Sequence, residues 1–465
     1  MNVSSGALKN KRVIRIIFTF SVLVLLVSAG LGAVEELDQP TASDFENQYE
    51  RSPADRSQIV DPPKNVTVVT TSPRKGTSGS IVAFDSDGKV LYYDDTHRKY
   101  FDVDAAPAGD MSIEYVAGTE LGRKACPASG VDPCARIVIE RVNLTTGDVT
   151  RLHETYAPGA NIWHDVERID EDRFLVADIT SDSVYVLNTS NDIVEWRWDA
   201  VNDFSLEDGG QVSDWTHLND VERLDDGRVM VSLRNMDQVV FVDPDYGPVE
   251  ERTLGKDDNH SRLYEQHNPD YVPRERGGPA VIVSDSENDR IIEYQRENGT
   301  WRQTWVWSDE RMHWPRDADR LPSGNTLVTD SNGNRILEVN SSGDIVWSVS
   351  IDTPYEAERL GVGDESDNGR SAAASNLTSR GGSAITSNGT GTETNRGFTF
   401  DTVVNWFKQL LPSIVVNGML FIMPKWVNAQ VFVSALAILG VGVAWGVFEL
   451  RWSAYTLSVT LREQP

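Results

Sequence analysis

A block built on Trp or Glu/Gln, His and a following aspartate is written four times: "ANIWHDVERIDEDRFL" around His164, "SDWTHLNDVERLDDGRV" around His217, "EQHNPDYV" around His267 and "MHWPRDADRLPSGNTLVTD" around His313. The steps between the histidines are 53, 50 and 46 residues. A period of this length restricts the chain to an array in which each unit buries a face against the next. Each block leads into short alternating apolar stretches, "RFLVAD", "RVMVSL", "AVIVSD" and "NTLVTD", then a second strand such as "SVYVLN", then a third that carries tryptophan in "IVEWRW", "RQTWVW" and "DIVWSV". Strands of this length and β-branched content, joined by Asp/Gly turns, are β-meander units. Units of four such strands make a β-propeller. "GSIVAFDSDGKVLYYDD" and "ARIVIERVNLTTGDVTRLHE" supply two further units without the histidine. The expected fold is therefore all-β, a six-bladed β-propeller over residues 62–351, with no amphipathic helical pattern inside it.

The register gives the histidines a common place. Each opens the innermost strand of its blade, so His164, His217, His267 and His313 are expected to converge at one end of the central channel. Asp165, Asp220, Asp270 and Asp317 follow them, and two readings stand: carboxylates that orient the imidazoles, or turn caps bonded to nearby amides. His97, His153 and His260 are out of register and read as surface residues, and the tryptophans at 196, 198, 305, 307 and 347 read as packing between blades.

Two apolar runs set the surroundings of this domain. Residues 16–34 follow Lys9, Lys11, Arg12 and Arg15 and have the form of a first transmembrane helix, with a cleaved signal peptide as the rival. Residues 431–450 form a second run, about 30 Å long as a helix, followed by Arg451 and Arg462. Basic flanks on one side place residues 1–15 and 451–465 in the cytoplasm and the intervening chain outside the cell. Eight Asn-X-Ser/Thr triplets, at Asn65, Asn143, Asn188, Asn259, Asn298, Asn340, Asn376 and Asn388, all fall between the two runs. Residues 35–61 read as a polar linker, 361–397 as a flexible Ser/Thr/Gly/Asn-rich stalk, and 401–424 as an interfacial helix. Cys126 and Cys134 enclose a turn-rich loop, "PASGVDP", and are expected to form a disulfide in an exported chain. Their spacing excludes CxxC metal or redox chemistry. A net charge of −28, spread through the chain, excludes a phosphate-binding nucleic-acid protein and suits a surface adapted to high salt.

"WHDVE" at Trp163, "WTHLNDVERL" followed by "VSLRN" at Val231, and "YEQHNPDY" at Tyr264 resemble the histidine blocks of the arylsulfate sulfotransferases, over Ile162 to about Trp347. The resemblance implies a six-bladed propeller outside the cytoplasm and, with the acidity, triplets and anchors, a haloarchaeal membrane-anchored branch. It also implies transfer of a sulfuryl group from an aryl sulfate to a phenol through a sulfohistidine. By motif, His267 matches the nucleophile, His164 and His217 the two supporting histidines, and Arg234 in "SLRN" the arginine that holds sulfuryl oxygens. Asn219, Asn268 and His313 are the expected substrate contacts, with His313 in a loop that closes the site.

That chemistry suits these residue types. A sulfuryl group spreads charge over three oxygens during in-line transfer, much as a phosphoryl group does, so the protein must supply a nucleophile and fixed donors. A neutral imidazole attacks, a guanidinium binds the oxyanion in a fork, and a protonated His164 or His217 gives its proton to the leaving phenolate. The chain contains no GxxxxGK[ST] loop, so neither a nucleotide donor nor another cofactor is expected, and the partners are a small aryl sulfate and a phenol. The alternatives are a ligand-binding propeller without turnover and a metal site made by the four histidines; Arg234 counts against the metal, because a fixed positive charge beside a cation is costly.

Overall fold

The computed structural model of the protein describes residues 5–74, 77–122, 124–127, 133–363, 365–381, 412–424 and 426–452. The chain forms two compact units, one of residues 40–389 and one that combines residues 1–39 with 390–465.

The larger unit is a six-bladed β-propeller of antiparallel sheets. Blades 2 to 6 are each read from the inside outward in chain order, starting from the inner strands Lys99–Ala105, Asp165–Arg168, Leu218–Arg223, His267–Val272 and Pro315–Arg320. Blade 1 is composite. Its outer strands are Thr67–Thr71, Ile81–Phe84 and Val90–Asp94, and its innermost strand is Pro354–Arg359, from the far end of the domain. The propeller therefore extends past residue 351, because closing the ring requires a strand that pairs with Thr67–Thr71 and leaves no open edge there. The tryptophans pack as expected between sheets: Trp305 and Trp307 are buried among Ile282, Ile291 and Val328.

Two segments expected to be loose are docked instead. Within residues 35–61, Thr41 caps a helix, α2 (Ala42–Tyr49), through reciprocal bonds with Asp44. Its Phe45 lies 5.3 Å from Phe84 in the blade 1 core. Within the Ser/Thr/Gly/Asn-rich segment, residues 365–381 lie on the propeller. Ser371 caps a short helical turn, Ala372–Ser375, the Ala372 amide donates to Glu293 Oε2 at 2.8 Å, and Arg380 N donates to the Val306 carbonyl at 2.9 Å. Composition alone hides this, because backbone hydrogen bonds make much of the attachment and only Ala372 and Leu377 of the segment pack on the Trp305–Trp307 cluster. The rest of the stalk, residues 382–397, and the first part of the 401–424 segment lie outside the described residues.

In the smaller unit, α1 (Ser5–Leu37) and the helix Ala429–Trp452 are long and apolar enough to cross a membrane over Lys11–Val34 and Ala429–Trp452. They are antiparallel: Arg15 donates to Glu449 at 2.6 Å, while Gln430 donates to the Ser28 carbonyl at 3.0 Å. Their basic flanks thus share one end of the pair. Ser413–Ile422 is a separate apolar helix of ten residues, too short to span.

Candidate functional site

Two repeated devices place the functional side chains. The first is the turn between the second and third strands of a blade, where Asp182, Asp237, Asp289 and Asn334 sit at φ between 49° and 54°. Asp and Asn tolerate this left-handed conformation and cap amides with their short side chains. Their Oδ1 atoms accept from the amides of Thr216, Glu265, Trp314 and Thr353 in the next blade, at 3.0, 2.8, 3.0 and 3.3 Å. Each bond holds the chain one or two residues before His217, His267, Arg316 and Tyr355.

The second device is a β-bulge. Pairing shifts by one residue within Tyr100–Val103, Leu218–Asp220, His267–Asp270, Pro315–Asp317 and Pro354–Glu356. A bulge re-aims the side chain it contains. His217, Asn268 and Trp314, at or beside these shifts, also adopt φ of 47°, 34° and 51°, a cost that tends to collect at functional sites.

The outcome is a closed ring at one mouth of the channel to which every blade contributes. Ring-centre distances are 4.5 Å from Phe101 to His164, 5.4 Å from His164 to His217, 6.4 Å from His217 to His267 and 5.9 Å from His267 to Trp314. The Arg316 guanidinium then lies 4.6 Å from the Trp314 ring and 4.7 Å from Tyr355, and Tyr355 is 4.5 Å from Phe101.

The hydrogen bonds set the tautomers. Ser286 Oγ donates to the Pro315 carbonyl at 2.7 Å, which leaves its oxygen to accept from His267 Nδ1–H at 2.8 Å. His164 Nδ1–H donates to the Ile162 carbonyl at 3.1 Å, and His217 Nδ1–H to Asp214 at 2.7 Å. In all three the Nε2 lone pair is left for the channel. Burial, and then the nearby positive charges, hold His267 well below the usual imidazole range, and burial does the same to His164. His217 is pushed down to about 4 by burial and Arg234, against the pull of Asp214. The resting imidazoles are neutral, so a standing protonated His164 or His217 does not fit the site.

His313 lies elsewhere than the repeat suggested, and the other expected residues have the following neighbours. His313 is buried beside Asp289, with its Nδ1 3.5 Å from the carboxylate, and blade 6 fills its ring position with Trp314 and Arg316 instead. Arg234 is ion-paired with Glu265 and donates to Asn235 at 2.8 Å. It borders a cavity of about 520 Å³ that Asp214, Tyr264 and Glu265 also line. Asn219 and Asn268 are buried, donating to the Gln266 carbonyl at 3.0 Å and to Glu356 at 3.3 Å. His97 is buried, not superficial, with Nε2 3.0 Å from Glu140. Cys126 and Cys134 are joined, with Cα atoms 6.1 Å apart.

Two of the aspartates that follow the histidines link blades: the Val221 amide donates to Asp165 at 2.5 Å and the Ala357 amide to Asp317 at 3.3 Å. Asp102 and Glu356 belong to the same tier, accepting from the Val166 amide at 3.1 Å and the Val103 amide at 3.2 Å. Burial, and then the neighbouring carboxylates, push Asp220 and Glu356 well above the usual carboxylate range. Among the described residues, the set of three or more potential metal ligands within 4.8 Å of one another is Asp102, Asp104 and Glu356; the imidazoles form no such set.

With the geometry in place, comparison with known proteins narrows the chemistry. Residues 169–352 match the family model described as Arylsulfotransferase (ASST). The match supports an arylsulfotransferase-type enzyme over that span, which contains His217, His267, Arg234 and Arg316 but stops short of Tyr355 and begins after His164. No curated protein sequence matches. Among solved structures, a Bacteroides caccae protein of unknown function is similar at 11% identity and a TM-score of 0.45, covering 64% of this chain and 99% of that one. A Pseudomonas aeruginosa periplasmic gluconolactonase is similar at 13% identity and a TM-score of 0.41, covering 64% and 99%.

Proposed function

We propose that the ring is the active site of a nucleotide-independent sulfotransferase that moves a sulfuryl group from an aryl sulfate to a phenol through a sulfohistidine at His267. The observation that carries this reading is the His267–Ser286–Pro315 relay, which directs Nδ1–H away from the channel and leaves a neutral, buried Nε2 as nucleophile. Entry of an anionic donor raises the proton affinity of the flanking imidazoles. His217, 20% exposed at its side chain, then takes a proton from solvent. Nε2 of His267 bonds to sulfur as the sulfur–aryl oxygen bond breaks, and the departing oxygen keeps the electron pair and receives that proton. In the second half the acceptor phenol gives its proton to His217 and attacks sulfur, the nitrogen–sulfur bond returns its pair to Nε2, and His217 releases the proton to solvent. Atoms and charge balance over the cycle. His164 and the paired Asn219 and Asn268 wall the site, while Arg234 with Glu265 orders the chain entering His267.

The domain is read as a cell-surface enzyme, with both termini cytoplasmic; the antiparallel apolar helices and the flanking Lys11, Arg12 and Arg451 support this. The acidic composition supports a high-salt setting.

The test is incubation of the purified chain in molar salt with 4-nitrophenyl sulfate. A burst of nitrophenol and one acid-labile sulfuryl group on His267, absent in His267→Asn, is expected. Neither product with any aryl sulfate would retire the transferase reading and leave a binding propeller.

A further inference from the structure

Six arginines in the described chain are buried: Arg74, Arg228, Arg316, Arg320, Arg335 and Arg359. Five of them meet a carboxylate within 4.0 Å, namely Asp352, Asp226, Glu293, Asp330 and Glu338 in that order. Arg316, 8% exposed, meets none among the described residues. Its Nη1 donates to the neutral Ser72 Oγ at 2.7 Å, and its Nε has no acceptor.

The Trp314 and Tyr355 rings lie 4.6 and 4.7 Å from the guanidinium but carry no negative charge, so its burial is left without a counter-ion. The nearby imidazoles are neutral, and Arg234 is already balanced by Glu265. One positive charge is therefore left in the ring, and an anion is what would balance it.

We infer that Arg316 binds the oxyanion of the substrate: a sulfate monoester, or free sulfate, seats its oxygens on the Arg316 guanidinium inside the histidine ring. The inference rests on the proposed sulfuryl-transfer reading for the identity of the anion, and not for the existence of the site. It assigns the oxygen-binding role to Arg316 in place of Arg234. Burial pulls the Arg316 pKa down to about 10, still far above neutrality, so the charge persists at working pH.

The test is titration of the full-length protein with inorganic sulfate, read by calorimetry and by tryptophan fluorescence, since Trp314 stacks on the guanidinium. One sulfate site is expected, weakened about tenfold or more in Arg316→Gln, with a smaller change in Arg234→Gln. Equal sulfate affinity in the parent and a folded Arg316→Gln would overturn the inference. If that variant does not fold, anomalous scattering from selenate in crystals of the parent decides: selenium within hydrogen-bonding distance of Arg316 supports it, and selenium on Arg234 alone overturns it. Sulfate bound through Arg316 in a protein that turns over no aryl sulfate would support the site while retiring the transferase reading. Aryl-sulfate turnover with sulfate affinity untouched by Arg316→Gln would do the reverse.

Discussion

Ser286 Oγ lies 2.8 Å from His267 Nδ1 and, by donating its own proton to the Pro315 carbonyl, obliges the imidazole to donate. A hydroxyl from the turn of blade 5 thus decides which nitrogen of His267 is the nucleophile.

Ser286→Ala should therefore slow sulfohistidine formation by about tenfold or more, the usual scale for losing a group that orients an imidazole, with little change in KM. Nitrogen-15 NMR of labelled His267 should show the tautomer ratio move in the variant. Unchanged burst kinetics and an unchanged tautomer would contradict the relay.

The pH profile follows from the depressed imidazoles. The neutral form of His267 is the nucleophile, and burial holds that imidazole below 6.5. Protonation is delayed, so kcat/KM for an aryl sulfate should stay level as pH falls through 6.5 and drop only well below it. An acid limb centred at 6.5 or higher would be inconsistent with buried neutral histidines.

The carboxylate tier should show itself in stability. Burial raises Asp317 from 3.8 to about 6. A raised folded pKa gives stability that is present below 3.8 and lost as pH rises through 6. His217 acts oppositely between 4 and 6.5, so a comparison of variants isolates the carboxylate. The melting temperature of Asp317→Asn, measured against the parent, should gain as pH rises from 4 to 7. A difference independent of pH would show that Asp317 titrates normally.

Replacing Cys126 and Cys134 by serine should lower stability by roughly 2 to 3 kcal/mol, the chain-entropy expectation for so short a loop. Denaturant titration measures this. Aryl-sulfate turnover should survive, because the bridge closes the loop between the second and third strands of blade 2, a blade that gives the ring Phe101 and no histidine.

Protease added to intact cells should trim residues 35–425 and spare tags on both termini, the outcome expected for basic flanks that face the cytoplasm. Digestion of either tag would reverse the topology. A mature N-terminus near residue 34 would favour a cleaved signal.

The period of about 50 residues, the alternating strands and the histidine in each block were enough to determine a six-bladed propeller and three of the seven ring members, because repetition is written along the chain. What the tertiary structure alone decided has a common cause: it depends on which blade meets which. "TPYEAER" looks like a tail until Pro354–Arg359 pairs with Thr67–Thr71 and brings Tyr355 next to Phe101. His313 and Arg316 stand three residues apart, yet the one-residue bulge at Pro315–Asp317 contains the arginine, which lies against Trp314 and Tyr355 while His313 lies beside Asp289. Arg234 reads as a free fork until Glu265 is seen beside it, and Asp165 as an imidazole partner until the Val221 amide of the next blade claims it. Residue type and spacing record the strands. Bulges, ion pairs across blades and the loss of water around Arg316 arise from packing, and packing is where the charge of the site is set.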